Sequence, residues 1–307
     1  MNLIFDSWIP VRREDGTETR IAPWQITEQE NPVVALVAPR PDFNGALMQF
    51  LIGLLQTAVT PPKHNDWADW LEQPPSVEKL KERLSIFSEA FELSGDGPCF
   101  MQDFDSLDGE PKPISALLID APGGKSLKDN TDHFVKRGEV TGLCPACAAT
   151  ALFTLQTNAP SGGVGHRTSL RGGGPLTTLV MLDPEGSRLE ETLWRNLWLN
   201  VLDSQAVIGM TGNQEKSAHS DIFPWLAPTR TSESKSGCDT TPKDANHLQM
   251  FWGMPRRVRL DWDRAEVGAC NLCGKSDDVV VRQYVTTNYG VNYSGAWQHP
   301  LSPHYID

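Results

Sequence analysis

The sequence predicts an α+β fold: an irregular, mixed globular chain, not a regular βαβ array. Three observations carry this. Apolar residues recur at helical spacing in separate segments, short strand-like runs lie between them without regular alternation, and two Cys-x-x-Cys pairs stand far apart in the chain. The 307 residues, 39% hydrophobic and 21% charged, supply enough apolar surface for a sizeable core.

Taken in order, NLIFDSWI reads as a strand with Leu3, Phe5 and Trp8 inward. A helix fits 44–59 and is stopped by the TPP at 60–62. This is also the longest apolar run, but Gln49, Gly53 and Gln56 interrupt it before the roughly 18 residues a membrane span needs. A second helix fits 76–93, with Ser76 as N-cap and Val77, Leu80, Leu84, Phe87 and Phe91 on one face. Residues 94–130 are rich in Gly, Pro and Asp around one apolar run, ISALLID. A short helix follows CPAC and ends at 158–160; PLTTLVML (175–182) reads as a strand. A third long helix is expected over 187–202, with Ser187 and Glu190 as a capping box. Residues 205–248 are polar and read as a long loop. VRLDW (258–262) and VVVRQYV (279–285) read as strands bracketing the second cysteine pair, and no internal repeat is visible.

The net charge of −12 is unevenly distributed. Residues 1–120 carry −11 and the remaining 187 carry −1. Within 121–180, six Lys/Arg (Lys125, Lys128, Lys136, Arg137, Arg167, Arg171) face three acids, and PRRVR adds Arg256, Arg257 and Arg259. Such charges are ordinarily a solvated surface. They also fit a chain whose acidic N-terminal part faces away while the remainder meets a polyanion. The opening MNLIFDSWIPV lacks the basic-then-apolar order of a signal peptide, so a cytoplasmic, membrane-free protein is expected.

Four of the six cysteines form two pairs, Cys144-Pro-Ala-Cys147 and Cys270-Asn-Leu-Cys273-Gly, separated by 122 residues. Zn²⁺ prefers four thiolates in a tetrahedron, and two knuckles supply them. The chain is therefore expected to hold one structural zinc that closes a long loop. The other readings are a redox dithiol at CPAC, as in a thiol oxidoreductase, or unrelated buried thiols. Two pairs of equal spacing favour zinc, since a redox site needs only one. Cys99 and Cys238 have no partner motif and read as a core thiol and a loop thiol. No H-E-x-x-H or G-x-S-x-G occurs. His133 and His166 read as surface residues.

Between the first pair and the 175–182 run stands NAPSGGVGHRTSLRGGGP, with six glycines, His166, Arg167, Arg171 and no acid. Gly162, Gly163 and Gly165 permit φ > 0 and remove side chains that would hold a ligand away. A Walker loop and a dinucleotide fingerprint are both excluded, because the segment follows a helix and lacks their spacing. Close approach to a nucleic-acid minor groove and a simple connector both remain compatible with it.

MNLIFDSWIPV, HFVKRGEV, NAPSGGVGHRTSLRGGGPLTTLV, CNLCG and HPLSPH together resemble the large subunit of the type I-E CRISPR Cascade complex, the CasA family. The resemblance runs over almost the whole chain. It implies one globular domain over 1–307, comprising an acidic part (1–120) and a zinc-bearing, DNA-facing part (121–307). It implies a non-catalytic subunit that reads the protospacer-adjacent motif (PAM) in double-stranded DNA, aids duplex opening and recruits the helicase-nuclease, working with other Cascade subunits and the CRISPR guide RNA. The family's groove-entering loop maps onto Ser161, Gly162, Gly163, Val164 and Gly165, with Arg167 and Arg171 expected near phosphates. Phe134, in a loop with Lys136 and Arg137, matches a family phenylalanine of assembly. Ala269 stands where members carry a PAM-contacting lysine, and Lys275 is the expected substitute. The family's glutamine wedge and four-helix bundle fall beyond residue 307.

Overall fold

The computed structural model describes residues 1–303 except 134, 136, 137, 161, 164, 184, 213 and 214. An antiparallel sheet of order β2-β1-β3 opens the chain: β1 (Ile9–Arg13), β2 (Glu18–Ile21) and β3 (Val33–Leu36). The expected strand before it is instead a turn. The Asn2 side chain accepts from the Ile4 and Phe5 amides and Asp6 N–H bonds Asn2 O, so Trp8 points inward while Phe5 is exposed.

Helix α1 (Pro41–Ala58) begins three residues earlier than the pattern suggested, because Pro41 supplies the first-turn geometry. It is buried on nearly all sides. α2 (His64–Glu72) and α3 (Val77–Ser85) follow, and Ser76 caps α3 through the Lys79 amide. The expected 76–93 helix therefore ends early. A 3-10 turn over Ser88–Phe91 takes over and aims Phe91 into the core. There Phe50 is the hub of edge-on contacts to Trp8, Phe91, Phe100, Phe153 and Trp252, at centroid distances of 5.4–6.0 Å.

After β4 (Lys112–Pro113) and α4 (Gly124–Lys128), helix α5 (Pro145–Asn158) packs along α1. Residues 175–182 are extended but join no ladder. The Asn200 and Asn196 side chains accept from the Val180 and Leu182 amides, and Leu301 O accepts from Thr178 N–H, replacing a neighbouring strand. The expected 187–202 helix is confined to α6 (Leu193–Trp198). Thr192 caps it through the Arg195 amide, and Ser187 makes only a local turn to the Leu189 amide. Residues 205–248 hold more structure than a loop: α7 (Ser204–Thr211), α8 (His219–Ile222) and β5 (Asp239–Thr240) form there, and Phe223 and Trp225 are buried against Phe87, Phe91, Phe100 and Trp252.

The C-terminal third brings β6 (Arg257–Leu260), the hairpin β7 (Glu266–Ala269) and β8 (Ser276–Val280), then β9 (Gln283–Thr287) and β10 (Asn292–Tyr293). β9 lies between β4 and β6, and β10 pairs with β5. The run expected as one strand over 279–285 is divided. At Val281 the chain leaves the hairpin and exchanges two hydrogen bonds with Leu143, at 3.0 and 2.8 Å. Among the described residues no helix is long and apolar enough to cross a membrane.

Candidate functional site

Helix α5 organises two sites, one at each end. At its start Cys144 is the N-cap, Pro145 follows, and Cys147 lies in the first turn, where amides and the positive helix end favour thiolates. The second pair arrives on the β7–β8 turn. Gly274, at φ +70°, lets its N–H reach Cys270 O at 2.9 Å, while Cys270 N–H reaches Lys275 O. Asn271 ties this turn to the first knuckle by accepting from the Thr141 and Gly142 amides at 2.9 and 2.8 Å.

The four sulfurs of Cys144, Cys147, Cys270 and Cys273 all lie within 4.8 Å of one another, and Cys144 and Cys273 Sγ are 3.7 Å apart. Sulfurs about 2.3 Å from a tetrahedral Zn²⁺ stand about 3.8 Å apart, so the donor set fits that ion with little movement. The protons are unevenly held. For Cys144, the contact with Cys147 lowers its pKa, but the contact with Cys270 and burial outweigh it and push the thiol up to about 12. Cys147 is raised by its contacts with Cys144 and Cys270, then by burial, and Cys270 is lowered by its contacts with Cys144 and Cys147. Arg20, from β2, donates from Nη2 to Cys273 Sγ at 3.3 Å. Burial works against its charge, but this bond and the nearby sulfurs raise its pKa. Cys99 is buried and Cys238 exposed, as their surroundings in the sequence suggested.

At the other end of α5 the glycine loop sits on two later segments. Gln156 is buried and clamps Arg256 by accepting from its amide and donating to its carbonyl, both at 2.9 Å. Arg256 in turn donates from Nη2 to Pro160 O. Gly165 (φ +77°) accepts from the Tyr289 amide at 2.8 Å, and Gly162 and His166 form a small antiparallel bridge. Burial, with Arg256 and Lys112 nearby, lowers the His166 pKa. Only Gly165 of the three expected loop glycines has positive φ. Gly163 is open: an added Cβ would meet one atom within 4 Å, His166 Cδ2 at 3.8 Å.

The expected cations are used differently from the sequence reading. Arg171 is not a free surface charge. It donates to Ser302 Oγ, Gln49 Oε1, Thr177 Oγ1, Leu176 O and Leu301 O, and burial pushes its pKa down to about 10. Arg167 donates to Ser232 Oγ at 2.7 Å and Ser232 O at 3.0 Å, and Ser232 Oγ donates to Gly290 O. Of the PRRVR cluster, Arg257 pairs bidentately with the fully buried Asp103, and Arg259 donates to Asp103 O. Lys275 is exposed, 3.6 Å from Asp277, at the cysteine end of α5. The 14-residue helix spans about 20 Å between its cysteine end and its glycine-loop end. Ser161, Val164, Phe134, Lys136 and Arg137 lie outside the described residues.

The profile of the CRISPR-associated protein Cse1 family matches residues 2–307. This chain belongs to that family. The fold agrees with solved Cse1 structures. Thermus thermophilus CasA (Cse1) superposes with a TM-score of 0.65 at 20% identity, over 97% of this chain and 56% of that one. Thermobifida fusca Cse1 gives 0.63 at 20%, over 96% and 52%. A chain of a CRISPR RNA-guided surveillance complex in a pre-nicking state gives 0.58 at 14%, over 99% and 57%. The present chain thus spans about half the length of these Cse1-family structures.

Sequence reasoning missed Arg20, Asn271, Arg256, Ser232 and Gly290 as parts of these sites. Gly290 carried a signal: NYG, an Asn and a Gly around one residue, suggests a tight turn. Its added Cβ would lie 2.0 Å from Pro255 O. Arg256 was marked only as a member of PRRVR and Asn271 only as a spacer in the second cysteine pair; like Arg20 and Ser232, they touch partners far along the chain.

Proposed function

We propose that this chain is the PAM-recognising, DNA-binding large subunit of an RNA-guided type I-E CRISPR interference complex. Its partners in this reading are the other Cascade subunits, the guide RNA, double-stranded target DNA and the helicase-nuclease, and its role is non-catalytic. Membership of the Cse1 family supports the reading. The observation that carries it is the loop at 162–165: its base is fixed by Arg256 and Tyr289, while Gly163 is exposed and, among the described residues, an added Cβ there would meet only His166 Cδ2, at 3.8 Å. A loop fixed at its base and carrying two adjacent glycines, Gly162 and Gly163, suits entry into a narrow minor groove, where the pattern distinguishes mainly A·T from G·C, so several motifs would be accepted. Ser161 and Val164 complete the loop in this reading.

Arg167, braced on Ser232, would add phosphate attraction that weakens as salt rises. Lys275 stands next to Ser276, the cross-strand partner of Ala269, and is assigned here as the substitute for the family lysine. Arg171 is committed to protein acceptors and is assigned no phosphate.

The cysteine cluster is read as a structural Zn²⁺ site, with Cys144, Cys147, Cys270 and Cys273 as ligands. The oxidoreductase reading loses support because Cys144, the attacking thiol of a CPAC motif, has no exposed surface and meets three other thiols instead of one.

The test is binding of the reconstituted complex to duplexes with varied PAMs. Gly163→Asp places bulk and negative charge at the open tip and is expected to abolish the preference for PAM-bearing duplex. Unchanged discrimination would reduce the loop to a connector. In the same assembly, Phe134→Ala is expected to weaken association with the other subunits while the isolated chain keeps its melting temperature. A lowered melting temperature with full subunit affinity would instead make Phe134 a packing residue.

A further inference from the structure

The four thiols are not equally served by their surroundings. Cys144 and Cys147 sit at the start of α5, at the positive helix end. Cys270 is buried on the β7–β8 turn. Cys273, the one half-exposed member, has the Arg20 guanidinium as its donor, reaching across 253 positions of sequence from the N-terminal sheet. Arg20, Cys273 and Cys147 also line a cavity of about 370 Å³, walled further by Trp8, Phe43 and Leu272. Cys147 and Cys273 are thus the cluster members that border this cavity.

We propose that Arg20 is a positioning residue of the metal centre, holding Cys273 Sγ in its ligand position and closing the side through which the metal would be lost. The inference rests on the metal reading above. Four thiolates around a divalent ion leave an excess of two negative charges. A guanidinium hydrogen-bonded to the outermost sulfur offsets part of that excess and fixes the direction of its lone pair. It also fastens β2 to the β7–β8 turn, two parts of the chain that local sequence does not connect.

The test uses the purified full chain loaded with Co²⁺ or Zn²⁺. Arg20→Ala is expected to lose metal to a competing chelator about 10–100-fold more readily, with Arg20→Lys in between. Removing an N–H···S bond makes the thiolate a stronger donor, so the thiolate-to-cobalt charge-transfer band should move to lower energy while the tetrahedral visible bands persist. Arg12→Ala, an exposed charge on the same sheet, should match the unaltered protein in both readouts. If the unaltered chain takes up no cobalt, the metal reading falls and this inference with it. If it does, and Arg20→Ala matches it in retention and band position, or Arg12→Ala loses metal as readily as Arg20→Ala, only the role of Arg20 is overturned.

Discussion

An added Cβ at Gly165 would come within 2.8 Å of Asn288 Cβ and 3.1 Å of the Tyr289 amide nitrogen, at a backbone φ of +77°. Gly163, two residues earlier, has neither constraint. The two glycines therefore answer to different demands, one to packing and one to whatever approaches the loop. Gly165→Ala should destabilise the isolated chain by about 1–3 kcal/mol, from left-handed strain and the clash with Asn288. Gly163→Asp should leave its stability within about 0.5 kcal/mol. Denaturant titration of both variants checks this, and a Gly165→Ala chain as stable as the parent would mean the loop is not fixed at its base. The composition of the loop was legible in the sequence. The division of labour was not, because the residues that press on Gly165 lie more than a hundred positions later.

At the scale of elements, α5 links the two sites. Its first turn carries two thiols, its last turn carries Gln156, and its apolar face lies against α1. The two ends are about 20 Å apart along the helix. This helix was legible, since Pro145 marks its start and the Asn158-Ala159-Pro160 run its end. So was α1, whose buried Gln49 and Gln56 looked like interruptions and instead bond Arg171 and the Leu202 backbone. The helix expected over 187–202 failed because two capping signals competed five residues apart and Thr192 won. The strand at 175–182 failed because its backbone partners are the Asn196 and Asn200 side chains, which no period-2 pattern reveals. PRRVR resembled a polyanion patch only while Asp103 was unseen. A carboxylate with no exposed surface requires a partner, and Arg257 is held there at 2.6 Å.

For the whole molecule, the cysteine cluster closes 122 residues of chain and brings α5, the β7–β8 hairpin and the N-terminal sheet to one point. The aromatic hub around Phe50 belongs to the same buried core but is held by its own ring contacts, and it draws on residues from Trp8 to Trp252. These two centres should fail separately when metal is withdrawn. Cross-linking a loop of this length is worth about 4–5 kcal/mol of chain entropy. At about 2–4 °C per kcal/mol for a domain of this size class, metal loss should lower the melting temperature by on the order of 10 °C. The change should be local before it is global. Amide exchange should rise first around 141–145 and 266–281, where the two knuckles and the Leu143–Val281 bridge depend on the cluster, while the amides of α1 keep their protection. Elemental analysis of the purified chain, expected to give one zinc per chain, followed by exchange with and without chelator, measures both. No bound metal in folded protein would remove the zinc reading. Uniform exchange across α1 and the knuckles after chelation would mean that the cluster and the aromatic hub form one cooperative unit.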